Sequence, residues 1–443
     1  MTSTPSSSSS DDLTGRRIAK LWWPLAASWA LMGLEFPMFA AFAARMADPE
    51  INLAAFASLV FPLSLVIEAP IIMLLAASTA LATDWDSYRK LRRFMLLAGS
   101  VLTLIHIAIA FTPLYYFVAE RLMHCPAEVI EPGRLSLQIM TPWTFAIAYR
   151  RFQQGVLIRF ERSRLVGVGT AVRLIVNLSV LVIGFNHGGV RGAVLGGMAI
   201  STAVVAEAIF AGICVQPVLR AMPRSTADGT AELTRKSFLN FYIPLAMTPL
   251  ITLVIQPIGF AAMNRMPERL SSAAAWPAVY GFVFLLRSVG FAFNEVVVTL
   301  IAEPGAARAL RRFAFILAGV TVALLTIVAA TPIAPLWFGR VTGFSPELTH
   351  IAQQAVGIAV LMPGYAVLQS WYQGVLVQSR RTRGITEAVA LYLVVSTVLL
   401  VVGVKWGEMQ GIYYALGTFT VGGILQTSWL AWRARPRLAE LEG

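Results

Sequence analysis

Charge is scarce in this sequence: 13% of the residues are Asp, Glu, Lys or Arg, against about a quarter in a soluble protein. Cysteine is nearly absent, and Cys125 and Cys214 alone exclude a disulfide framework. The four histidines lie far apart, without the close spacing of a metal site, so neither a metal nor a cofactor is expected. No GxxxxGK loop ending in Ser or Thr occurs, which excludes P-loop nucleotide hydrolysis. GxSxG and HExxH are missing too, so the chain does not read as an enzyme.

What is present is apolar. Hydrophobic residues make up 57% of the chain and fall in long blocks such as LVVSTVLLVVGV (393–404). A membrane crossing needs roughly 20 mainly apolar residues. About twelve blocks meet this: 17–44, 51–80, 92–118, 135–160, 165–186, 192–219, 236–265, 272–302, 312–337, 350–376, 385–404 and 410–432. The first is too long for a cleaved signal peptide, carries Glu35 and lacks a small-residue cleavage site. The expected fold class is an all-α polytopic membrane protein.

The net charge of +12 could point to nucleic acid, but its distribution points to topology. With both termini inside, cytoplasmic segments hold 23 Lys and Arg and outer segments hold eight, including Arg45, Arg265 and Arg340. That is the positive-inside bias. It predicts cytoplasmic termini, lipid as the surrounding partner and no nucleic acid. The skew of 31 Arg to four Lys suggests a GC-rich bacterial source, hence the inner membrane.

QGVL occurs at 154–157 and again at 373–376. Sliding the sequence on itself by 219 or 220 aligns much more. LRRF (91–94) meets LRRF (310–313), Pro37 meets Pro257, Arg45-Met46 meets Arg265-Met266, and Gly184, Gly188 and Gly192 meet Gly403, Gly407 and Gly411. The chain is two copies of one six-helix unit. An even number of crossings gives both copies the same orientation, related by a pseudo-twofold axis along the membrane normal, as in secondary transporters. The divisions are a mobile tail 1–16, an N-lobe 17–219, a cytoplasmic linker 220–235, a C-lobe 236–432 and a tail 433–443. Pro24, Pro37, Pro62, Pro70, Pro244, Pro249 and Pro257 fall in the first two helices of each copy, where they permit bends.

A mid-membrane charge costs about 2.5–3.5 kcal/mol on insertion scales, so it faces a cavity or a partner. Glu35 reads either as a structural hydrogen bonder or as an ion-coupling carboxylate that carries H+ or Na+. Glu68 and Arg287 are equivalent under the repeat, which suggests a gating salt bridge across the axis, or local pairing within each lobe. Arg150 and Arg151 lie within one turn of Gln154, Arg173 shares a face with Asn177, and Arg287 shares one with Asn294. Glu295 could reach Arg287 only loosely, and Glu207 has no obvious partner.

The stretch WPLAASWALMGLEFPMFAAFAARMADPEINLAAFA (23–57) resembles the opening of multidrug and toxic compound extrusion (MATE) transporters, and IGFNHGGVRGAVLG (183–196) resembles their helix five-to-six pattern. RKSFLNFYIPLA (235–246) and RSRLVGVG (162–169) are similar to transporters of the progressive ankylosis type. The resemblance implies a 6+6 exporter fold, shared with lipid-linked oligosaccharide flippases. It also implies ion coupling at the helix-one acid. That acid is Asp in MATE proteins and Glu35 here, so H+ and Na+ both stay open. Relatives of the ankylosis type are linked to export of citrate, ATP or pyrophosphate.

The expected function is a monomeric secondary active exporter of an organic or phosphate-bearing anion, working by alternating access. Its substrate site is Arg150, Arg151, Arg173, Asn177, Arg287 and Asn294, with Glu68 and Glu295 as gating or cavity charges, because clustered arginines clamp carboxylate or phosphate bidentately. The alternatives are a cation or multidrug antiporter, a lipid-headgroup flippase, and a non-transporting scaffold or receptor.

Overall fold

The computed structural model describes residues 15–224, 234–303, 305–379, 381 and 383–442. The tail expected at 1–16 lies outside the described residues except for Gly15 and Arg16, as does 225–233 of the expected linker. Among the described residues every regular element is a helix. Twelve long segments follow one another: α1 Gly15–Ala43, α2 Pro49–Leu81, α3 Trp85–Phe111, α4 Ala127–Ile139 continued by Thr141–Arg159, α5 Ser163–His187, α6 Gly192–Ala221, α7 Arg235–Met263, α8 Arg269–Leu300, α9 Ala306–Ala330, α10 Pro346–Gln378, α11 Arg383–Trp406 and α12 Gly411–Glu442.

Ten of them are long and apolar enough to cross a membrane. The other two, α4 and α12, are the blocks at 135–160 and 410–432. Polar content explains the shortfall: α4 carries Arg150, Arg151, Gln153, Gln154 and Arg159, and in the opening GIYYALGTFTVGG of α12 glycine, threonine and tyrosine outnumber the branched aliphatics. Residues 433–442 continue α12 as helix. Leu97, Ile183 and Ile213 are each about two-thirds exposed on the bundle surface, which lipid covers in an integral membrane protein.

The duplication is written into the backbone. Asp48 and Glu268, ahead of α2 and α8, have φ of 49° and 52°. Wide π-helical turns at Phe117–Leu122 and Leu336–Thr342 follow α3 and α9. Ala193 N–H donates to Asn52 Oδ1 at 3.0 Å, and its counterpart Ile412 N–H donates to Ser272 Oγ at 3.2 Å. The shared QGVL glycines mark close helix crossings. A Cβ on Gly155 would collide with Ser78 Oγ and the Leu75 carbonyl of α2, and one on Gly374 would come within 2.6 Å of Val297 Cγ1 of α8.

Two helices change sides. Up to Gly33, α1 packs on the second half: Trp22 Nε1 donates to the Val289 carbonyl at 2.9 Å, Trp29 meets Phe291, and Arg17 pairs with Glu303 at 2.8 Å. The helix breaks between Gly33 and Glu35, one turn before Pro37, whose missing N–H leaves the Gly33 carbonyl without its helical donor. Beyond the break Phe39 and Phe42 pack on Phe56 and Phe185 of the first half. The start of α7 mirrors this, with Phe238 and Tyr242 on Phe94 and the Tyr242 hydroxyl donating to the Pro70 carbonyl at 2.6 Å. Its far end returns to the second half, where Phe260 meets Trp276.

The face carrying Arg45 and Arg265 is laced shut between the halves. Arg45, at the end of α1, donates to the carbonyls of Thr342, Arg340 and Val341 at 2.7–2.8 Å. Arg265, at the end of α7, donates to the Leu122 carbonyl at 3.1 Å and to His124 Nδ1 at 2.8 Å, and Asn264 donates to the Met123 carbonyl at 2.9 Å. Each π-helical turn leaves carbonyls unbonded at its end, and a guanidinium from the opposite half satisfies them.

Candidate functional site

A charged network lies buried in the first half. Glu35 sits at the break in α1 and takes both Nε and Nη2 of Arg173 from α5, with Nε at 2.6 Å. Arg150 of α4 donates to Glu207 Oε2 of α6 at 2.6 Å, and Gln154, one turn further along α4, donates to Glu207 Oε1 at 2.9 Å. Arg173 Nη1 stands 3.8 Å from the same Glu207 carboxylate and joins the two pairs. Glu207 is 1% exposed and Arg150 is 4% exposed, so these ions are held by one another rather than by water. Glu68 of α2 is also buried, with Arg151, Arg150 and Arg173 as the cations acting on it. Asn177, one turn from Arg173, is buried with its Oδ1 unpartnered. Three glutamates and three arginines make the network neutral when all are ionised.

The equivalent positions of the second half hold a nearly uncharged copy. Gln369 and Gln426 stand where Arg150 and Glu207 stand, hydrogen-bonded at 3.1 Å. Tyr392 replaces Arg173, Ser370 replaces Arg151, Ser396 replaces Asn177 and Ile255 replaces Glu35. The exception is Arg287 of α8, in the place of Glu68. Among the described residues no carboxylate lies within ion-pair distance of it, and its Nε is buried without a partner. Aromatic rings hold it instead: its guanidinium carbon is 5.6 Å from the Phe291 ring centre and 5.7 Å from that of Tyr365, with Tyr280 and Tyr392 nearby.

The expected site residues therefore fall into two groups. Glu35, Glu68, Arg150, Arg151, Arg173 and Asn177 lie in the first-half network, and Arg287 stands apart in the second half. Asn294 donates to the Ser370 carbonyl at 3.2 Å and so ties α8 to α10. Glu295 is exposed, two turns from Arg287 along α8. A salt bridge between Glu68 and Arg287 is not formed: Arg287 is held among aromatic rings of the second half, and Glu68 Oε2 is buried without a partner, with the arginines of α4 and α5 the cations acting on it. The arginines of α4 and α5 are not an open clamp either, since Arg150 and Arg173 already hold Glu207 and Glu35. Glu207 and Gln154 were missed as members of the site, as were the tyrosines around Arg287. The repeat carried a signal for the first: Gln426 follows Gln369 by the same 57 residues that separate Glu207 from Arg150.

Twelve helices in two pseudo-symmetric halves, exchanging their first helices around buried charge, form a transporter fold of the MATE type. The chain aligns with the inward-facing conformation of a multidrug resistance MATE family transporter of the MOP superfamily at a TM-score of 0.76 and 13% identity, covering 96% of this chain and 99% of that one. An outward-facing conformation of such a transporter gives 0.62 at 15% identity, covering 97% of each chain. The lipid II flippase MurJ in an inward closed conformation gives 0.68 at 13% identity, covering 95% and 89%. No curated protein matches. The chain belongs to the progressive ankylosis protein (ANKH) family, whose model matches residues 50–284, more than half of its length.

Proposed function

We propose that this protein is a secondary active transporter that exports an organic or phosphate-bearing anion by alternating access, with Arg287 as the principal substrate cation and Glu35 as the coupling carboxylate. The observation that carries this reading is Arg287, a cation inside the second half with no carboxylate in ion-pair reach among the described residues. The first-half network is neutral, so Arg287 leaves the buried charge at +1. A carboxylate or phosphate completes that balance, and an organic cation worsens it. The ring of tyrosines offers hydroxyls to an oxyanion's remaining lone pairs.

Coupling follows from the Arg173–Glu35 pair. A proton or Na+ taken up by Glu35 releases Arg173, which then faces Glu207 only at 3.8 Å. Arg173 then becomes a second available guanidinium, and the anion binds more tightly while the ion is present. The same event loosens the point where α1 passes between the halves, which links occupancy to a change of access. A cleft of about 600 Å³ between the starts of α3 and α7, lined by Arg93, Phe94, Arg235 and Phe238, favours a lipid-headgroup version of this cargo as the second reading.

The test is ligand-dependent thermal stabilisation of the purified protein, with citrate, pyrophosphate and ATP set against organic cations. Stabilisation by anions, lost in Arg287→Gln and kept in the surface variant Arg435→Gln, supports the assignment. Stabilisation by organic cations alone overturns it.

A further inference from the structure

A polar cavity of about 330 Å³ lies within the first half, near the chain-terminal face of the bundle. Its lining comes from α3 (Trp85, Tyr88, Arg92), α4 (Tyr149, Gln153) and α6 (Gln216, Arg220). The two arginines stand at its exposed rim, and no carboxylate lies within ion-pair distance of either among the described residues. Gln153 forms the floor. It is 2% exposed, and its Oε1 is buried without a partner. Its Nε2 reaches only the Tyr88 hydroxyl, at 3.5 Å.

A buried carboxamide oxygen without a donor is costly. A half-turn of the amide lets Oε1 accept from the Tyr88 hydroxyl and leaves the two N–H groups on the cavity floor as donors in want of an acceptor. The lining then offers two guanidiniums, an amide donor and the Tyr149 hydroxyl, groups that donate to an oxyanion. The equivalent place in the second half keeps Arg311 for Arg92 and has Arg435 for Gln216, both near Tyr372, but has Ala307 for Tyr88, Leu368 for Tyr149, Tyr372 for Gln153 and Ala439 for Arg220. Two guanidiniums thus recur in both copies, while the buried amide floor and its tyrosines belong to the first half alone.

We infer that this cavity binds a phosphate oxyanion, held by Arg92, Arg220 and Gln153 at a site separate from the transported anion. The phosphate belongs either to a soluble molecule or to the headgroup of an anionic phospholipid. Its occupant cross-links α3, α4 and α6 one residue from Gln154, which holds Glu207.

The experiment is calorimetric titration of full-length protein in phosphatidylcholine nanodiscs with inorganic phosphate, using Arg287→Gln as the background so that the central site is silent. A parallel arm scores phosphatidylglycerol retention by native mass spectrometry from mixed-lipid discs. Saturable phosphate binding in Arg287→Gln that weakens tenfold or more in added Arg92→Gln and Arg220→Gln assigns a soluble ligand. Phosphatidylglycerol retention lost in the same variants assigns a lipid. Gln153→Glu, which places a carboxylate on the floor, should abolish either. No binding in both arms, or binding that Arg92→Gln with Arg220→Gln leaves unchanged, overturns the site. Neither result touches the transport reading, whose test uses the central arginine.

Discussion

Removing one member of the Arg150–Glu207 pair should cost much more than removing both. Both side chains are almost fully buried, and their contact is 2.6 Å. Glu207→Gln leaves Arg150 with no carboxylate in ion-pair reach, and an orphaned buried ion costs about 3–5 kcal/mol. Arg150→Gln should cost less, roughly 2–3 kcal/mol, because Glu207 keeps Gln154 at 2.9 Å and Arg173 at 3.8 Å. The double variant recreates the pair that the second half already contains, Gln369 with Gln426 at 3.1 Å, so the geometry is known to accept it. It should return to within about 1.5 kcal/mol of the parent, which makes the coupling energy about 3.5 kcal/mol or more. Thermal unfolding of the purified protein in nanodiscs reads this directly. Glu207→Gln should lower the midpoint by on the order of 5–10 °C, at about 2 °C per kcal/mol, and the double variant should regain most of it. A double variant no more stable than Glu207→Gln, or single variants that do not shift, would refute the reasoning.

Three further outcomes are expected. Gly155→Ala should destabilise by about 2–3 kcal/mol and Gly374→Ala by about 1 kcal/mol, since the first Cβ meets a backbone carbonyl and the second a rotatable valine; equal unfolding midpoints would count against this. Arg45→Gln with Arg265→Gln removes the charged donors that join the halves at 2.7–3.1 Å, so spin labels at Glu120 and Glu347 should show a more populated open distance, by roughly tenfold per arginine; unchanged distance distributions would contradict it. At the start of α3 Asp84 is partly buried, which opposes ionisation, yet the N–H groups of Ser87 and Asp86 and the Thr83 hydroxyl hold its carboxyl below the usual range. The cap therefore stabilises fully above the unfolded carboxylate pKa and weakens as pH falls through the lower folded value. Asp84→Ala should cost about 1 kcal/mol at neutral pH and less in acid, and a pH-independent difference would refute the cap.

The fold was largely legible because membrane insertion writes itself into composition. Long apolar blocks name the crossings, and LRRF and QGVL expose the duplication. The two segments that depart from the rule, α4 and α12, depart for a readable reason: α4 is polar where it faces the network. The exchange of α1 and α7 between the halves was not legible, since hydrophobic periodicity shows that a face is buried but not against which neighbour. The same blindness affected the charges. Glu68 and Arg287 correspond in the repeat, but correspondence gives depth and not distance, and α4 packs directly on α2 through Gly155. Glu207 looked solitary because its partner lies 57 residues away on another helix.

The most direct test of the central claim is flux in proteoliposomes of full-length protein, with radiolabelled citrate or pyrophosphate inside and an organic cation as the comparison. The account predicts anion efflux that a proton or Na+ gradient changes in rate. Arg287→Gln should reduce that efflux at least tenfold, and Glu35→Gln should make it indifferent to the gradient while folding is retained. Cation flux in place of anion flux, or anion flux intact in Arg287→Gln, would contradict it.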